Sequence, residues 1–406
     1  MTHPFATAMR RATLSTRGQN LTEATRLIQE ALSGRPPATS EEPVENGLRL
    51  PSTRREAPFA IDPDAEIVEP SATEAPKKAG RFAGLMQGLR ESPLSKSASS
   101  PLCGLALPGM GGPSGPPPVP EGARFTTRSF AGPAGTRGYR LYVPASAPEK
   151  PRGLVVMLHG CKQNPDDFAT GTTMNTVAEA HGLLVAYPHQ TNAANASSCW
   201  NWFNPADQGR DAGEPAILAG ITRELMAEFG LERDAVFVAG LSAGGAMAAI
   251  MAETYPDLFA AVGIHSGLAT GSANDVMSAF AAMRGQGGKS SLSRRPARSG
   301  PVVRTILFQG SADGTVHPSN ADRILSAASG SAGGRQERAR MTAGGRSIER
   351  TIVMGPDGMA AVESWRIEGA GHAWSGGDAK GSFTDASGPD ASAEMVRFFL
   401  NRPIAA

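Results

Sequence analysis

Three residues carry the chemistry that this sequence can do: Ser242, Asp313 and His372. Ser242 sits in Ala239-Gly240-Leu241-Ser242-Ala243-Gly244-Gly245, after the apolar, β-branched run Val236-Phe237-Val238 and before an Ala/Met-rich helical run. A serine on a sharp strand-to-helix turn is held as an exposed nucleophile. Gly240 and Gly244 are small enough to let strand and helix pass closely. The helix N-terminus then turns its free N–H groups toward the place where an oxyanion would form.

A serine that accepts an acyl group needs a base, and the base needs an orienting carboxylate. After an elbow of this kind the chain order is Ser, then Asp or Glu, then His. The histidines downstream of Ser242 are His265, His317 and His372. His265 follows a buried strand and His317 is expected to begin a helix, so both read as structural or supporting. His372 lies in the late loop Gly369-Ala-Gly-His-Ala-Trp-Ser-Gly-Gly377, whose small neighbours allow it to fold over the elbow. Asp313 follows a strand in the glycine-flanked turn Gly310-Ser-Ala-Asp-Gly314 and is the expected acid. Asp322, Asp385 and Asp390 follow no strand end and are weaker choices.

The oxyanion needs two donors. One is the N–H of Ala243, the residue after the nucleophile. The other comes from the loop after an earlier strand, where Leu158-His159-Gly160-Cys161 points to the Cys161 N–H. His159 is read as holding that loop by hydrogen bonds. The tract Cys199-Trp200-Asn201-Trp202-Phe203 lies in a long loop after another strand. Its Trp200 and Trp202, with Trp374 beside His372, are expected to form a flat apolar wall for an ester chain. Cys161 and Cys199 follow neighbouring strands at one sheet edge, so they could meet. A disulfide there would fix the oxyanion loop, whereas a cytoplasm would keep both thiols reduced. At this point either state stands.

The elements that must position these residues alternate. Residues 124–130 and 137–143 suggest an antiparallel pair. Buried strands follow at 153–159, 183–187, 236–241, 260–264, 303–308 and 364–368, separated by helical pattern at 168–181, 216–229, 243–255 and 393–400. This rhythm predicts an α/β fold: a mostly parallel central sheet with helices on both faces, begun by antiparallel strands, with ligands at the carboxyl ends of the strands. The Gly/Ser/Arg-rich stretch 270–300 and the polar stretch 329–350 interrupt it and read as loops over or beside the site. Residues 1–121 read as a separate, largely disordered extension, and 122–406 as the catalytic domain. The extension has two short amphipathic helices, at 21–32 and 82–89, joined by Pro/Gly/Ser-rich linkers that cannot bury enough apolar surface to offset chain entropy. Its helices are candidates for contact with a polymer granule surface, and Cys103 in its linker reads as a free thiol.

Composition narrows the classes. The 406 residues carry a net charge of +1, which offers nothing to a nucleic acid. Three cysteines exclude a disulfide scaffold. No apolar run approaches the ~20 residues of a membrane span. No metal-ligand cluster, Walker loop or dinucleotide fingerprint is visible, so no cofactor or metal is expected. The N-terminal residues lack the order of a secretory signal, and a cytoplasmic location is the expectation.

Taken together, the segments 158–161, 199–203, 239–247, 313–318, 369–377 and 388–392 resemble the polyhydroxybutyrate depolymerase family of esterases. That is an α/β-hydrolase family close to feruloyl and acetylxylan esterases, and the resemblance spans about residues 123–402. It implies Ser242, Asp313 and His372 as the triad, agreeing with the residue-by-residue reading. It also implies that Cys161 and Cys199 can be disulfide-bonded in exported members, which makes an extracellular location the alternative. Members that degrade crystalline polymer outside the cell carry a separate polymer-binding module, which residues 1–121 do not resemble. The expected activity is therefore serine-dependent hydrolysis of poly(3-hydroxybutyrate) or its short oligomers. A feruloyl or acetylxylan-type carboxylesterase is the alternative, and a non-catalytic granule-surface protein is the alternative of another class.

Overall fold

The computed structural model describes residues 115–286, 301–332 and 334–401. The helices expected at 21–32 and 82–89, and Cys103, lie outside the described residues.

Continuous apolar runs form the buried central strands of one sheet, flanked on both sides by more exposed strands. Its strands are β1 (Arg124–Gly132), β2 (Gly135–Val143), β3 (Gly153–Leu158), β4 (Leu183–Pro188), β5 (Val236–Leu241), β6 (Ala261–His265), β7 (Arg304–Gly310), β8 (Gln336–Ala343), β9 (Arg346–Met354) and β10 (Ala360–Ile367). They lie in the order β1-β2-β4-β3-β5-β6-β7-β10-β9-β8. The six from β4 to β10 in that order run parallel. The pairs β1–β2 and β2–β4 at one side, and β10–β9 and β9–β8 at the other, are antiparallel. A small parallel pair, β11 (Trp374–Ser375) with β12 (Thr384–Asp385), stands apart.

The helices are α1 (Pro165–Thr172), α2 (Met174–His181), α3 (Gly213–Phe229), α4 (Ala243–Thr254), α5 (Val276–Met283), α6 (Ser319–Ala332) and α7 (Ala391–Leu400). The two-residue period of β5 shows how they cover the sheet. Val236 and Val238 belong to one core cluster, with residues of α3, α4, α5 and α6. Phe237 and Ala239 belong to the other, with residues of α1, α2 and α7. A parallel sheet clothed on both faces in this way is the α/β-hydrolase architecture.

Several elements depart from the sequence reading. The helix expected over 168–181 is two helices, because Thr173 takes a left-handed conformation (φ 54°) between them. The stretch 270–300 contains α5, whose N-terminus is closed by a reciprocal Asp275–Ser278 capping box. The stretch 329–350, expected as a loop, holds the end of α6, all of β8 and the first half of β9, which turn at Gly344-Gly345 (φ 53° and 78°). The last residues of the expected linker pack on the domain, with Pro117 buried and the Thr170 hydroxyl donating to the Gly115 carbonyl at 3.1 Å.

Candidate active site

The parallel registers bring five strand ends to one edge. Leu158 pairs with Gly240, Leu241 with His265, His265 with Phe308, and Gly310 with Ile367. Every loop that carries a candidate residue leaves the sheet there.

Ser242 joins β5 to α4 with φ 58° and ψ −119°, a region that costs a non-glycine residue about 1–3 kcal/mol. The turn is over-determined: its N–H donates to the His265 carbonyl, and its carbonyl accepts from Ala246 N–H, both at 2.9 Å. Its glycines are required by contact between backbones. A Cβ on Gly240 would lie 2.4 Å from the Gly244 carbonyl, and one on Gly244 would lie 2.0 Å from the Leu158 oxygen. Thus α4 starts directly against the end of β3, and Ala243 opens the helix with an N–H that has no acceptor within it.

Asp313 and His372 meet. His372 Nδ1 lies 2.8 Å from Asp313 Oδ2. The carboxylate is wholly buried, while the imidazole keeps 13% of its side-chain surface exposed. Asp313 Oδ1 accepts the N–H groups of Thr315 (2.9 Å) and Val316 (2.8 Å), and Oδ2 also accepts from Gln309 Nε2 at 3.1 Å. Burial alone would raise this carboxyl. The hydrogen bond and charge of His372, with the Val316 and Thr315 N–H groups, outweigh burial and hold it below its ordinary value. An ionised Asp313 therefore fixes the proton on His372 Nδ1 and leaves Nε2 as the basic nitrogen.

The loop after β3 is anchored on three sides. Gly160 N–H donates to Gln163 Oε1 at 2.9 Å. The Gly160 carbonyl accepts from Gln163 N–H (3.3 Å) and lies 2.8 Å from His159 Nδ1. His159 Nε2 accepts the Gln190 N–H at 3.1 Å, so the proton of this neutral ring is on Nδ1. Burial pushes its pKa down to about 4, which keeps it neutral. In a trans peptide the N–H opposes the C=O. Holding the Gly160 carbonyl therefore aims the Cys161 N–H the opposite way. Cys161 is also joined to Cys199 by a disulfide with a Cα–Cα distance of 4.2 Å.

The tryptophans are not the expected wall. Trp200 is fully buried, and its Nε1 donates to the His159 carbonyl at 3.1 Å. Trp374 is fully buried, stacked on His265 at 5.2 Å with its Nε1 donating to Ser392 Oγ. Trp202 is 5% exposed and edge-on to Phe203. Trp200 and Trp374 fill the space behind site loops, because a bulky ring with one N–H is stable where it can be buried and still find an acceptor.

The weaker acids are engaged elsewhere. Asp322 pairs with Arg366, Asp385 pairs with Arg346, and Asp390 caps α7 through Ala393 N–H. His317 is exposed and hydrogen-bonded to Ser319 at the start of α6. Gln163 and Gln309 received no role from the sequence. Gln309 could have been found, being a polar residue directly after the apolar run Ile306-Leu307-Phe308.

The family model described as esterase PHB depolymerase matches residues 137–344, which include Ser242 and Asp313. The chain belongs to that family. It is 32% identical over 244 residues to poly(3-hydroxyalkanoate) depolymerase C of Paucimonas lemoignei, covering 57% of this chain and 56% of that protein. It is 30% identical over 207 residues to a probable acetylxylan esterase A of Neosartorya fischeri, covering 48% and 55%. Feruloyl esterase B of Neurospora crassa is 29% identical over 244 residues, covering 57% and 81%. The chain thus spans a little over half the length of the first two. Among solved structures, an acetyl xylan esterase from Aspergillus awamori shares the fold at a TM-score of 0.52 and 24% identity, over 62% of this chain and 93% of that one. Among the described residues no helix is long and apolar enough to cross a membrane.

Proposed function

We propose that the chain is a serine carboxylic-ester hydrolase acting on poly(3-hydroxybutyrate) or its short oligomers. The observation that carries this reading is the buried Asp313–His372 hydrogen bond, formed at the same strand edge as the strained Ser242 turn. Ser242 Oγ attacks the ester carbonyl carbon while His372 Nε2 takes the hydroxyl proton. The carbonyl electron pair moves onto oxygen, where the N–H groups of Ala243 and Cys161 receive it. Each such donor is worth about 10²–10³ in rate. Collapse of the tetrahedral intermediate breaks the bond to the leaving alkoxide, which takes the proton from His372 and departs as alcohol. Water then attacks the acyl-enzyme, giving its proton to His372, and Ser242 is released with its own proton restored.

The supporting relatives include polyester depolymerases and plant-wall esterases, so acetylxylan or feruloyl esters form the second reading. Hydrolysis by wild type and Ser242→Ala of 3-hydroxybutyrate oligomer, amorphous polymer granules, acetylxylan and methyl ferulate tests both. Release of 3-hydroxybutyrate that depends on Ser242 is the expected outcome. Cleavage of ferulate or acetylxylan alone would move the substrate to the second reading, and turnover retained by Ser242→Ala would end the serine mechanism.

A further inference from the structure

We infer that His265 is a positioning residue that sets the nucleophile and the base against each other. This inference rests on the roles proposed above for Ser242 and His372. His265 is the last residue of β6, it is 1% exposed, and the mechanism makes no use of its ring. Its two polar ends hold opposite halves of the site. The carbonyl accepts the Ser242 N–H at 2.9 Å, fixing the strained turn. The ring Nε2 accepts the Ser375 N–H at 3.1 Å, three residues beyond His372.

The ring has little freedom to move. It lies stacked between Phe308 at 5.8 Å and Trp374 at 5.2 Å. Trp374 in turn packs edge-on against Phe168, and Trp374 N–H donates to the Phe383 carbonyl at 2.7 Å. The loop that carries His372 is therefore pinned at its downstream end by a stack and a hydrogen bond that both end on His265. At its upstream end, the Ala312 N–H donates to the Ala370 carbonyl at 3.0 Å, in the turn that carries Asp313.

The hydrogen bond sets the protonation that the ring must have. Because Nε2 accepts, the proton resides on Nδ1 and faces Ser266 Oγ at 3.2 Å. A second proton would place an N–H against the Ser375 N–H and break the pin. Burial, with repulsion from His372, pushes this histidine down to about 3 against the opposing pull of Asp313, so the acceptor persists throughout the neutral range. A flat ring that presents an acceptor on one edge and stays uncharged beside a base that must become charged meets all three demands. Phenylalanine supplies only the ring, and glutamine supplies only the acceptor, at about the place of Nε2.

The test measures kcat and KM for p-nitrophenyl butyrate with wild type, Ser242→Ala, His265→Phe and His265→Gln. It is joined by proton spectra of the Nδ1–H shared by His372 and Asp313. His265→Phe is expected to lower kcat about 10–100-fold, the scale of a misplaced catalytic group, with KM nearly unchanged. The shared proton resonance should broaden in this variant. His265→Gln should recover most of the lost turnover and sharpen the resonance. Turnover of His265→Phe within about threefold of wild type, or a glutamine variant as impaired as phenylalanine, overturns the inference. A measurement on the wild type needs no variant to fold: nitrogen-15 spectra should show His265 as the neutral Nδ1–H form over about pH 5 to 9, and an imidazolium or an Nε2–H form there overturns it. Loss of turnover in Ser242→Ala is the control for the triad. If that variant stays active, the triad reading fails, whatever His265 shows.

Discussion

Replacing Asp313 with asparagine removes one charge and almost no volume, so its effect can be worked from the hydrogen bonds alone. In the native site a carboxylate oxygen lies 2.8 Å from His372 Nδ1. At that distance, with an effective dielectric constant of about 20, a carboxylate and an imidazolium attract by about 6 kcal/mol. Losing that attraction when His372 takes the serine proton corresponds to about four powers of ten in rate. The tautomer acts in the same direction. An asparagine whose oxygen still serves the Thr315 and Val316 N–H groups turns its NH2 toward His372 and toward the Gln309 amide. The imidazole must then accept at Nδ1 and carry its proton on Nε2, where it cannot receive one from Ser242. The second N–H of the introduced asparagine then opposes the Gln309 NH2, and this donor left unsatisfied in a buried place costs about 1–3 kcal/mol of stability. Steady-state kinetics on a soluble ester, with thermal unfolding, reads both numbers. A folded Asp313→Asn protein within tenfold of wild-type kcat would refute the reasoning, because an amide that keeps its oxygen on the Thr315 and Val316 N–H groups leaves Nε2 protonated and unable to act as base.

Acid unfolding tests the same carboxylate separately. The native carboxyl is held below its ordinary 3.8, so the unfolded chain takes up this proton first as pH falls. Its contribution to stability is complete above about pH 5 and is lost as pH falls through the native value, a slope that Asp313→Asn should lack in unfolding titrations. Gly244→Ala places a methyl 2.0 Å from the Leu158 oxygen and 2.6 Å from the His159 oxygen. It should cost about 3 kcal/mol and most of the activity, whereas Gly209→Ala, which meets nothing within 4 Å, should change neither by calorimetry and kinetics. Cys199→Ser opens a cross-link across a sequence separation of 38 residues. It should lower stability by about 2–4 kcal/mol and reduce kcat by loosening the Cys161 loop, with dithiothreitol reproducing both effects on the wild type; an unchanged kcat would detach the disulfide from the oxyanion site. Glu363, 1% exposed and paired with Arg350 and Arg397, lies in β10 short of the edge that carries the candidate site. Glu363→Ala should lower stability by about 3 kcal/mol while leaving kcat unchanged, and a change in kcat would show that the sheet transmits strain to the site.

What could be read in the sequence follows from what its residues had to satisfy locally. The strands from β3 to β7 announce themselves because both of their faces are buried, and a run such as Leu-Val-Val-Met-Leu has no other use. The elbow is legible because backbones touch at Gly240 and Gly244, where no side chain fits. Asp313 and His372 were chosen by their places after strands, and they meet although 59 residues separate them. The hairpin of β8 and β9 was missed because β8 is an edge strand exposed along almost its whole length. Residues such as Glu337, Arg338 and Arg340 blunt that edge and hide the alternation that marks a strand. Its Gly344-Gly345 turn was the signal available. The tryptophans were misread for a different reason. A sequence shows that a ring is near a site, but not which side of the loop it faces. Trp200 and Trp374 are spent on the back of their loops, where each N–H finds an oxygen.

The strand order has a consequence for how the molecule comes into being. β3, β5, β6, β7 and β10 stand side by side, yet every parallel pairing among them must wait for helices and long connections to close. Such non-local pairing is the slow kind, since chain entropy is surrendered before the contacts that reward it exist. The stretches bearing Ser242, Asp313 and His372 join the sheet in three separate strand additions. A half-assembled chain therefore holds no working fraction of the site. Recovery of activity on refolding should lag behind recovery of helical signal.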